Sequence, residues 1–303
     1  MYYRIMAALI AFYMGVAGLF YTPSPVTEIT PEGKGKITAT GTLTVMTYNL
    51  KTTGTGNKTV KNREPLVLEN IEVYSPDSIG FEEANEEWVG YLAANMKNYA
   101  YVGTGRDKGG KGEASPVFYR KDKYKLLEGD TFWLSETPEK VSKGWDAFFF
   151  NRVCSYAVLK NKKTGLIYAH FNAHFDHLGV VARLESASLV CDRIAAVNDK
   201  YGGIPVFLSG DLNDDEGSEM YKRIEESGMR DVKFIAKETM DAGTYHGYSK
   251  LTEKMRTKPI DFIFVSGYCK EALSYKVDYT EYGGIYPSDH HPVIARLTVY
   301  NRK

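Results

Sequence analysis

The chain has 303 residues and carries 38 lysines and arginines against 38 aspartates and glutamates. That balance excludes a protein that grips a polyphosphate backbone mainly by bulk charge, and leaves room for a local basic groove. Its three cysteines, Cys154, Cys191 and Cys269, form neither a metal-type CxxC pattern nor a disulfide framework. They read as small buried hydrophobes, with one disulfide left open.

The N-terminus opens on Met1-Tyr2-Tyr3-Arg4, then an almost uncharged run over 5–21 that includes Gly15-Val16-Ala17-Gly18. A short positive start, an apolar stretch and a small-residue patch describe an export signal. The run is roughly 17 residues long, at the lower limit for a spanning helix. Residues 1–22 are therefore expected to be a signal peptide or an uncleaved membrane anchor. The protein is expected outside the cytoplasm, whether periplasmic, secreted or membrane-anchored. Residues 23–41, rich in Pro, Gly, Thr and Lys, read as a linker.

Beyond the linker, apolar alternation predicts a strand over 43–49, and three- and four-residue spacing a helix over 60–73. A short buried strand follows at 78–81 and a helix at 86–96. Arg106-Asp107-Lys108-Gly109-Gly110-Lys111-Gly112 lacks a Walker pattern and reads as a mobile surface loop. Strands are predicted at 116–119, 125–127, 153–159 and 166–172. Between them, the stretch with Trp133, Trp145 and Phe148-Phe149-Phe150 reads as a lip over a cleft or as a loop shielding a sheet edge. A long helix over 180–197, a buried strand at 206–210, a short helix at 220–226 and strands at 260–265, 272–277 and 293–299 complete the series. Many strands with a few helices, and no break after the linker, predict one domain over 42–303, built as two stacked sheets with helices outside.

Polar groups gather where these strands end. Asn49 closes the first; Glu82-Glu83 follows Ile79-Gly80-Phe81; Asn172-Ala173-His174-Phe175-Asp176-His177 and Gly210-Asp211-Leu212-Asn213 end two more. Asp261 lies in Ile260-Asp261-Phe262-Ile263, and Ser288-Asp289-His290-His291 precedes the last strand. Acidic and amide residues directly after a buried strand have no packing reason to be there. Carboxylates and amides without thiolates suit a hard cation such as Mg²⁺, Mn²⁺ or Ca²⁺ better than zinc, for which neither HExxH nor a Cys/His quartet is present. A hard cation beside imidazoles and amides is what hydrolysis of a phosphate ester needs. His170, inside an apolar run, reads as a satisfied sheet histidine. His291 reads as a supporting residue, and His246, in a Gly-flanked loop, as one within reach of substrate.

Six segments, Thr47-Tyr48-Asn49-Leu50, Gly80-Phe81-Glu82-Glu83, Asn172-Ala173-His174-Phe175, Gly210-Asp211-Leu212-Asn213, Ile260-Asp261-Phe262-Ile263 and Ser288-Asp289-His290-His291-Pro292-Val293, stand in the order of the endonuclease/exonuclease/phosphatase superfamily, which the chain resembles over about 43–299. The resemblance implies an α/β fold, the four-layer sandwich of DNase I-like phosphoesterases, with two packed, mainly antiparallel sheets flanked by helices. It also implies roles. Asn49, Glu83 and Asp289 would hold the metal. Asp211 would position or deprotonate water, Asn213 and His174 would contact phosphate, and His290, oriented by Asp261, would act as general base or transition-state donor. Arg152 matches a phosphate-facing arginine, and Glu113 a loop lining the site. Two departures stand out: Glu82 replaces the usual Gln and is expected to add an anion to the cleft. The extension through Asp176 and His177 resembles a bacterial branch near the deadenylase-like members and places both near substrate.

The expected activity is that of an exported, divalent-metal phosphoesterase in which water attacks in line. A small phosphate ester is favoured over nucleic acid, because the net charge is zero and Glu82 adds a negative charge. A secreted nuclease is the alternative, and a catalytically silent binding module is less favoured because no motif is lost. A monomer is expected, with membrane contact only through an uncleaved N-terminal segment.

Overall fold

The computed structural model describes residues 21–29, 35–250 and 257–302, so the leader expected over 1–22 lies almost wholly outside the described residues. Among them, no helix is long and apolar enough to cross a membrane.

Two sheets carry the fold. The larger runs β12 (Ala236–Glu238), β14 (Cys269–Val277), β15 (Val293–Arg302), β1 (Ile37–Asn49), β2 (Ser78–Glu82), β6 (Val117–Arg120) and β3 (Tyr99–Val102). The smaller runs β11 (Arg230–Asp231), β13 (Asp261–Val265), β10 (Val206–Asp211), β9 (Ile167–His174), β8 (Val153–Asn161) and β7 (Tyr124–Trp133). A hairpin of β4 (Gly105–Asp107) and β5 (Lys111–Ala114) stands apart from both.

Strand alternation decides the layers. Leu43 and Val45 of β1 pack inward with Ala157, Tyr168, Phe207 and Ile263 to fill the space between the sheets. Met46 and Tyr48, the intervening residues, face outward and pack with Val67 and Ile71 of α1 (Val60–Tyr74) and Trp88 and Leu92 of α2 (Glu86–Asn95). On the other side Phe171, Leu208 and Phe264 meet Ala187, Cys191 and Ile194 of α3 (Val180–Lys200) and Met220 and Ile224 of α4 (Glu219–Glu226). Each fully buried side chain of this size contributes about 1.5–3 kcal/mol by leaving water. The result is the four-layer sandwich expected from the sequence. All three cysteines are buried, and none forms a disulfide.

Two parts of the segment read as a linker belong to this domain. β1 begins at Ile37, and Ile29 is buried against the α3–α4 layer with its amide donating to Ser227 O at 2.8 Å. Ser24 is tied in as well, its amide donating to Glu185 and its carbonyl accepting from Arg223. Ile29 and Val26 supply the apolar contact that a Pro/Gly-rich composition does not advertise.

The space between the sheets is not wholly apolar. His170 is fully buried there, bonded through Nδ1 to Ser78 Oγ (2.9 Å) and through Nε2 to Ser209 Oγ (2.8 Å), the satisfied sheet histidine expected. Ser209 Oγ donates on to Asn172 Oδ1 at 2.7 Å, and Asn172 Nδ2 donates to Phe81 O at 2.9 Å. Gly80 makes this approach feasible, because a Cβ there would stand 2.0 Å from Asn172 Oδ1. Burial lowers the His170 pKa to about 3. A histidine depressed in the folded state stabilises above its unfolded pKa and loses that contribution as pH falls from about 6.5 towards 3. At about pH 4.5 the loss is on the order of 2–3 kcal/mol. Urea unfolding at neutral pH and at about pH 4.5 should therefore show a steeper fall for the native protein than for His170→Gln. Equal falls would mean that His170 does not set this acid sensitivity.

Candidate active site

Register brings the polar strand ends together. β10 runs parallel to β9 with Asp211 opposite His174, and antiparallel to β13 with Asp211 opposite Asp261. In the larger sheet β1 and β2 set Asn49 level with Glu82. After β2 and after β10 the chain turns through a left-handed residue, Glu83 at φ +53° and Asn213 at φ +52°. Such backbone is unfavourable for residues other than glycine, and it persists where the surroundings hold it.

At the centre lies an Asp–His–Asp arrangement. His290 Nδ1 is 2.9 Å from Asp261 Oδ2, and Thr244 Oγ1 donates to the same oxygen at 2.5 Å, which fixes the ring. The other nitrogen, His290 Nε2, is 3.7 Å from Asp211 Oδ2, and His174 Nε2 is 3.6 Å from that oxygen on another side. Both gaps are too long for a direct hydrogen bond, so each imidazole keeps a nitrogen free towards the cavity. Burial lowers the His290 pKa, but the charge and hydrogen bond of Asp261 outweigh it and hold the imidazole well above its ordinary range. His174 goes the other way: burial, then the charges of Arg152 and Arg106, push it well below. Burial and the neighbouring Asp261 raise the Asp211 carboxyl to about 7. Two imidazoles with opposed protonation flanking a carboxylate poised near neutrality can move a proton and stabilise charge.

These groups open on a cavity of about 450 Å³ with one acidic and one basic end. Glu83, Asp211 and Asp289 line the acidic end. Asn49 is fully buried behind it, with Nδ2 donating to Asp211 Oδ2 (2.9 Å) and Glu83 Oε1 (3.3 Å) while its oxygen accepts from Lys51 N (3.0 Å). Asn49, expected to hold the metal, instead braces two carboxylates with its amide nitrogen, and its oxygen is taken by the Lys51 amide. Asp289 pairs with Lys51 Nζ at 3.3 Å, and its Oδ1 is buried with no partner. An orphaned carboxylate oxygen among three acids fits a hard divalent cation. Asp211, Asp261 and His290 also present ligand atoms within 4.8 Å of one another. In that group Asp261 is already engaged by His290 Nδ1 and Thr244 Oγ1, so the cavity-facing carboxylates Glu83 and Asp289, with Asp211, make the better donor set.

Arginines line the basic end. Arg152 has Nη2 3.2 Å from His177 Nδ1 and Nε 3.7 Å from Asp176 Oδ2. Arg106 Nη1 is bonded to Glu113 Oε2 at 2.6 Å, and the Phe150 ring lies 4.5 Å from its guanidinium. Of the stretch 133–150, Phe150 lines the cavity and Phe149 stacks on His177 at 6.2 Å, while Trp133 ends the edge strand β7. Asp146 ties this lip to the start of α3, accepting from Ala182 N (2.6 Å) and Val181 N (3.2 Å).

An endonuclease/exonuclease/phosphatase from Bacteroides vulgatus matches at a TM-score of 0.79 and 32% identity, covering 86% of this chain and 99% of that chain. The chain belongs to the endonuclease/exonuclease/phosphatase family. A mannosyl-6-phosphatase from Bacteroides thetaiotaomicron is likewise 32% identical at a TM-score of 0.74, covering 84% and 99% of the two chains. The protein named carbon catabolite repressor protein 4 homolog 3, from Arabidopsis thaliana, is 21% identical over 217 residues, 70% of this chain, and the chain spans about half (46%) of that relative's length. No family model matches the chain. As a family member, the protein is a hydrolase acting on phosphoric ester bonds, and divalent-metal dependence goes with the family.

Within this family site, most residues singled out from sequence converge. Glu83, Glu113, Arg152, His174, His177, Asp211, Asn213, Asp289 and His290 all line the one cavity, while Asn49 and Asp261 stand directly behind it. Four further expectations need correction. Asp176 does not reach the cavity wall; its Oδ1 accepts from Leu178 N and Gly179 N while Oδ2 faces Arg152, so it shapes the turn and steadies the arginine. Glu82 adds no anion to the cleft, for it is fully buried between the sheets with Thr47 Oγ1 donating to it at 2.9 Å. Burial and the charge of Asp261 push its carboxyl far up, towards the neutral form that most resembles the Gln it replaces. His246 is buried against His291 and bonded to Ser288 O, away from this cavity. The 106–112 stretch, read as a mobile surface loop, is the β4–β5 hairpin, and it carries Arg106 into the site.

Three contributors had gone unread. Lys51 and Tyr245 line the cavity, the tyrosine ring 4.8 Å from that of His290. Arg63 of α1 is fully buried and donates to Leu50 O (2.5 Å), Lys51 O (2.6 Å) and Pro287 O (3.0 Å), clamping the loops that carry Lys51 and Asp289. No local pattern separates such an arginine from a solvated helix residue.

Proposed function

We propose that the protein is an exported, Mg²⁺- or Mn²⁺-dependent phosphoesterase acting on a small phosphate ester. The observation that carries this reading is the bipolar cavity, with a carboxylate end suited to a hard cation and an arginine end suited to phosphate oxygens, joined by His174, Asp211 and His290. A bound cation held by Glu83 and Asp289 with Asp211 would draw charge from a phosphoryl oxygen. Asp211 receives the proton of an attacking water. His290, held charged by Asp261, donates from Nε2 to an oxygen on which charge develops, and neutral His174 donates to another. Arg152, which lines the same cavity, neutralises the phosphate.

Three things support a small substrate: the zero net charge, the limited cavity, and the 32% identical relative named as a mannosyl-6-phosphatase. The placement of Glu82 removes one earlier ground for disfavouring nucleic acid, so charge and cavity size carry that preference. Export rests on residues 1–22 alone.

Purified protein should be assayed on p-nitrophenyl phosphate, bis-p-nitrophenyl phosphate, a hexose 6-phosphate, RNA and single- and double-stranded DNA, each with Mg²⁺, Mn²⁺ or EDTA over a salt series. The expected result is metal-dependent turnover of a small ester that EDTA abolishes and salt affects weakly. Faster cleavage of duplex DNA with a steep salt slope would place the nuclease reading first. Cell fractionation should find the chain outside the cytoplasm, and cytoplasmic full-length protein would contradict export.

A further inference from the structure

Arg106 and Arg152 stand at the same end of the cavity, each buried to more than nine-tenths, and the Nε of each has no hydrogen-bond partner. Burying a guanidinium is costly unless its donors are used, and two at one place are costlier still. The carboxylates beside them do not complete the pairing. Glu113 takes Nη1 of Arg106 only, and Asp176 stands 3.7 Å from Arg152 Nε, beyond hydrogen-bond reach, with its own Oδ2 unpartnered.

Arg106 is also held rigidly. Its carbonyl accepts from Trp133 Nε1 at 2.7 Å and from Asn151 Nδ2 at 3.3 Å, and Phe150 covers the guanidinium face. Glu113 thus pins Nη1, one corner of the fork, and no protein group takes the Nε donor, so the guanidinium keeps donor capacity for an oxyanion in the cavity it lines.

The number of terminal oxygens separates the ester classes. A phosphate diester has two, sharing one negative charge. A monoester has three, carrying about −1.5 to −2 near neutral pH because the second pKa is about 6. With one terminal oxygen taken at the acidic end and another by Arg152, only a monoester retains a third for Arg106. An alkyl group on that oxygen would leave a buried guanidinium unpaired, and sites built around such a donor discriminate strongly against a ligand lacking the acceptor.

Resting on the phosphoesterase reading, we propose that Arg106, braced by Glu113, is the residue that selects a phosphate monoester dianion over a diester. The test uses the full chain loaded with Mg²⁺ or Mn²⁺, with p-nitrophenyl phosphate and bis-p-nitrophenyl phosphate as the two substrates and inorganic phosphate as inhibitor. Wild type should prefer the monoester in kcat/KM. Arg106→Ala should lower monoester kcat/KM by about 10² or more and diester kcat/KM by about tenfold at most. The inhibition constant of inorganic phosphate should rise at least about tenfold, since the dianion loses the same contact. Arg106→Lys keeps the charge and the buried stem without the fork, and should fall between the two, which keeps the proposal testable if the alanine variant does not fold. A wild-type preference for the diester, or equal fractional losses on both esters in the lysine variant with unchanged phosphate inhibition, would overturn the assignment and leave the phosphoesterase standing. Absence of hydrolysis of either ester by wild type would instead sink the parent reading.

Discussion

Replacing His290 by alanine should lower kcat by about 10² or more with little change in KM, and Asp211→Ala should do the same. The expectation comes from placement. His290 Nε2 and His174 Nε2 both approach Asp211 Oδ2 without bonding to it, so a reacting group entering between them finds one charged donor, one neutral donor and one acceptor. Removing the ring of His290 deletes the charged donor and leaves Asp261 buried without its imidazole partner. Asp261→Asn should be milder, because the ring stays while its charge and orientation are weakened. Circular dichroism and thermal unfolding should show all three variants folded. Near-normal turnover in both alanine variants would remove the proposed proton path, whichever ester proves to be the substrate.

What could be read from the sequence, and what could not, follows from how far each signal reaches along the chain. The strand ends were legible because a polar residue beside a buried apolar run is a local anomaly: Asn49 and Asp211 close such runs, Asp261 opens one, and His290 stands just before another. The four-layer sandwich was legible because long alternating runs allow few stacking solutions. Glu82 was misplaced although a local signal existed. Strand alternation puts Ser78, Gly80 and Glu82 on the inner face, and the left-handed turn at Glu83 then sends only the second carboxylate to the cavity. Arg106 was missed for a different reason. Its hairpin is rich in Gly and Lys, as any exposed loop is, and what draws it inward is the contact with Trp133, Asn151 and Phe150, remote in sequence. Arg63 and Tyr245 are of the same kind, since their partners lie in loops far along the chain.

Glu83→Gln should raise the Mg²⁺ concentration needed for half-maximal activity by at least about tenfold, the smaller end of what even an outer partner of a metal site is worth. Glu83 is suited to hold a cation because its backbone is fixed in the left-handed region, while Asn49 Nδ2 and Thr52 N hold its two oxygens at 3.3 and 2.9 Å. Glutamine preserves shape and backbone but removes the charge. Without metal, the loss of one acceptor costs about 1 kcal/mol, and relief of repulsion with Asp211, whose carboxyl the Glu83 charge helps to raise, offsets part of it. The metal-free variant should therefore melt close to the metal-free native protein. The two should separate when Mg²⁺ is added, because a ligand that binds only the folded state stabilises it in proportion to RT ln(1 + [L]/Kd). The native protein should gain melting temperature with Mg²⁺ at concentrations where the variant does not, a readout independent of turnover. Equal gains in both, with unchanged metal dependence of activity, would show that Glu83 is not the anchor. The cation would then belong to the Asp211, Asp261 and His290 group.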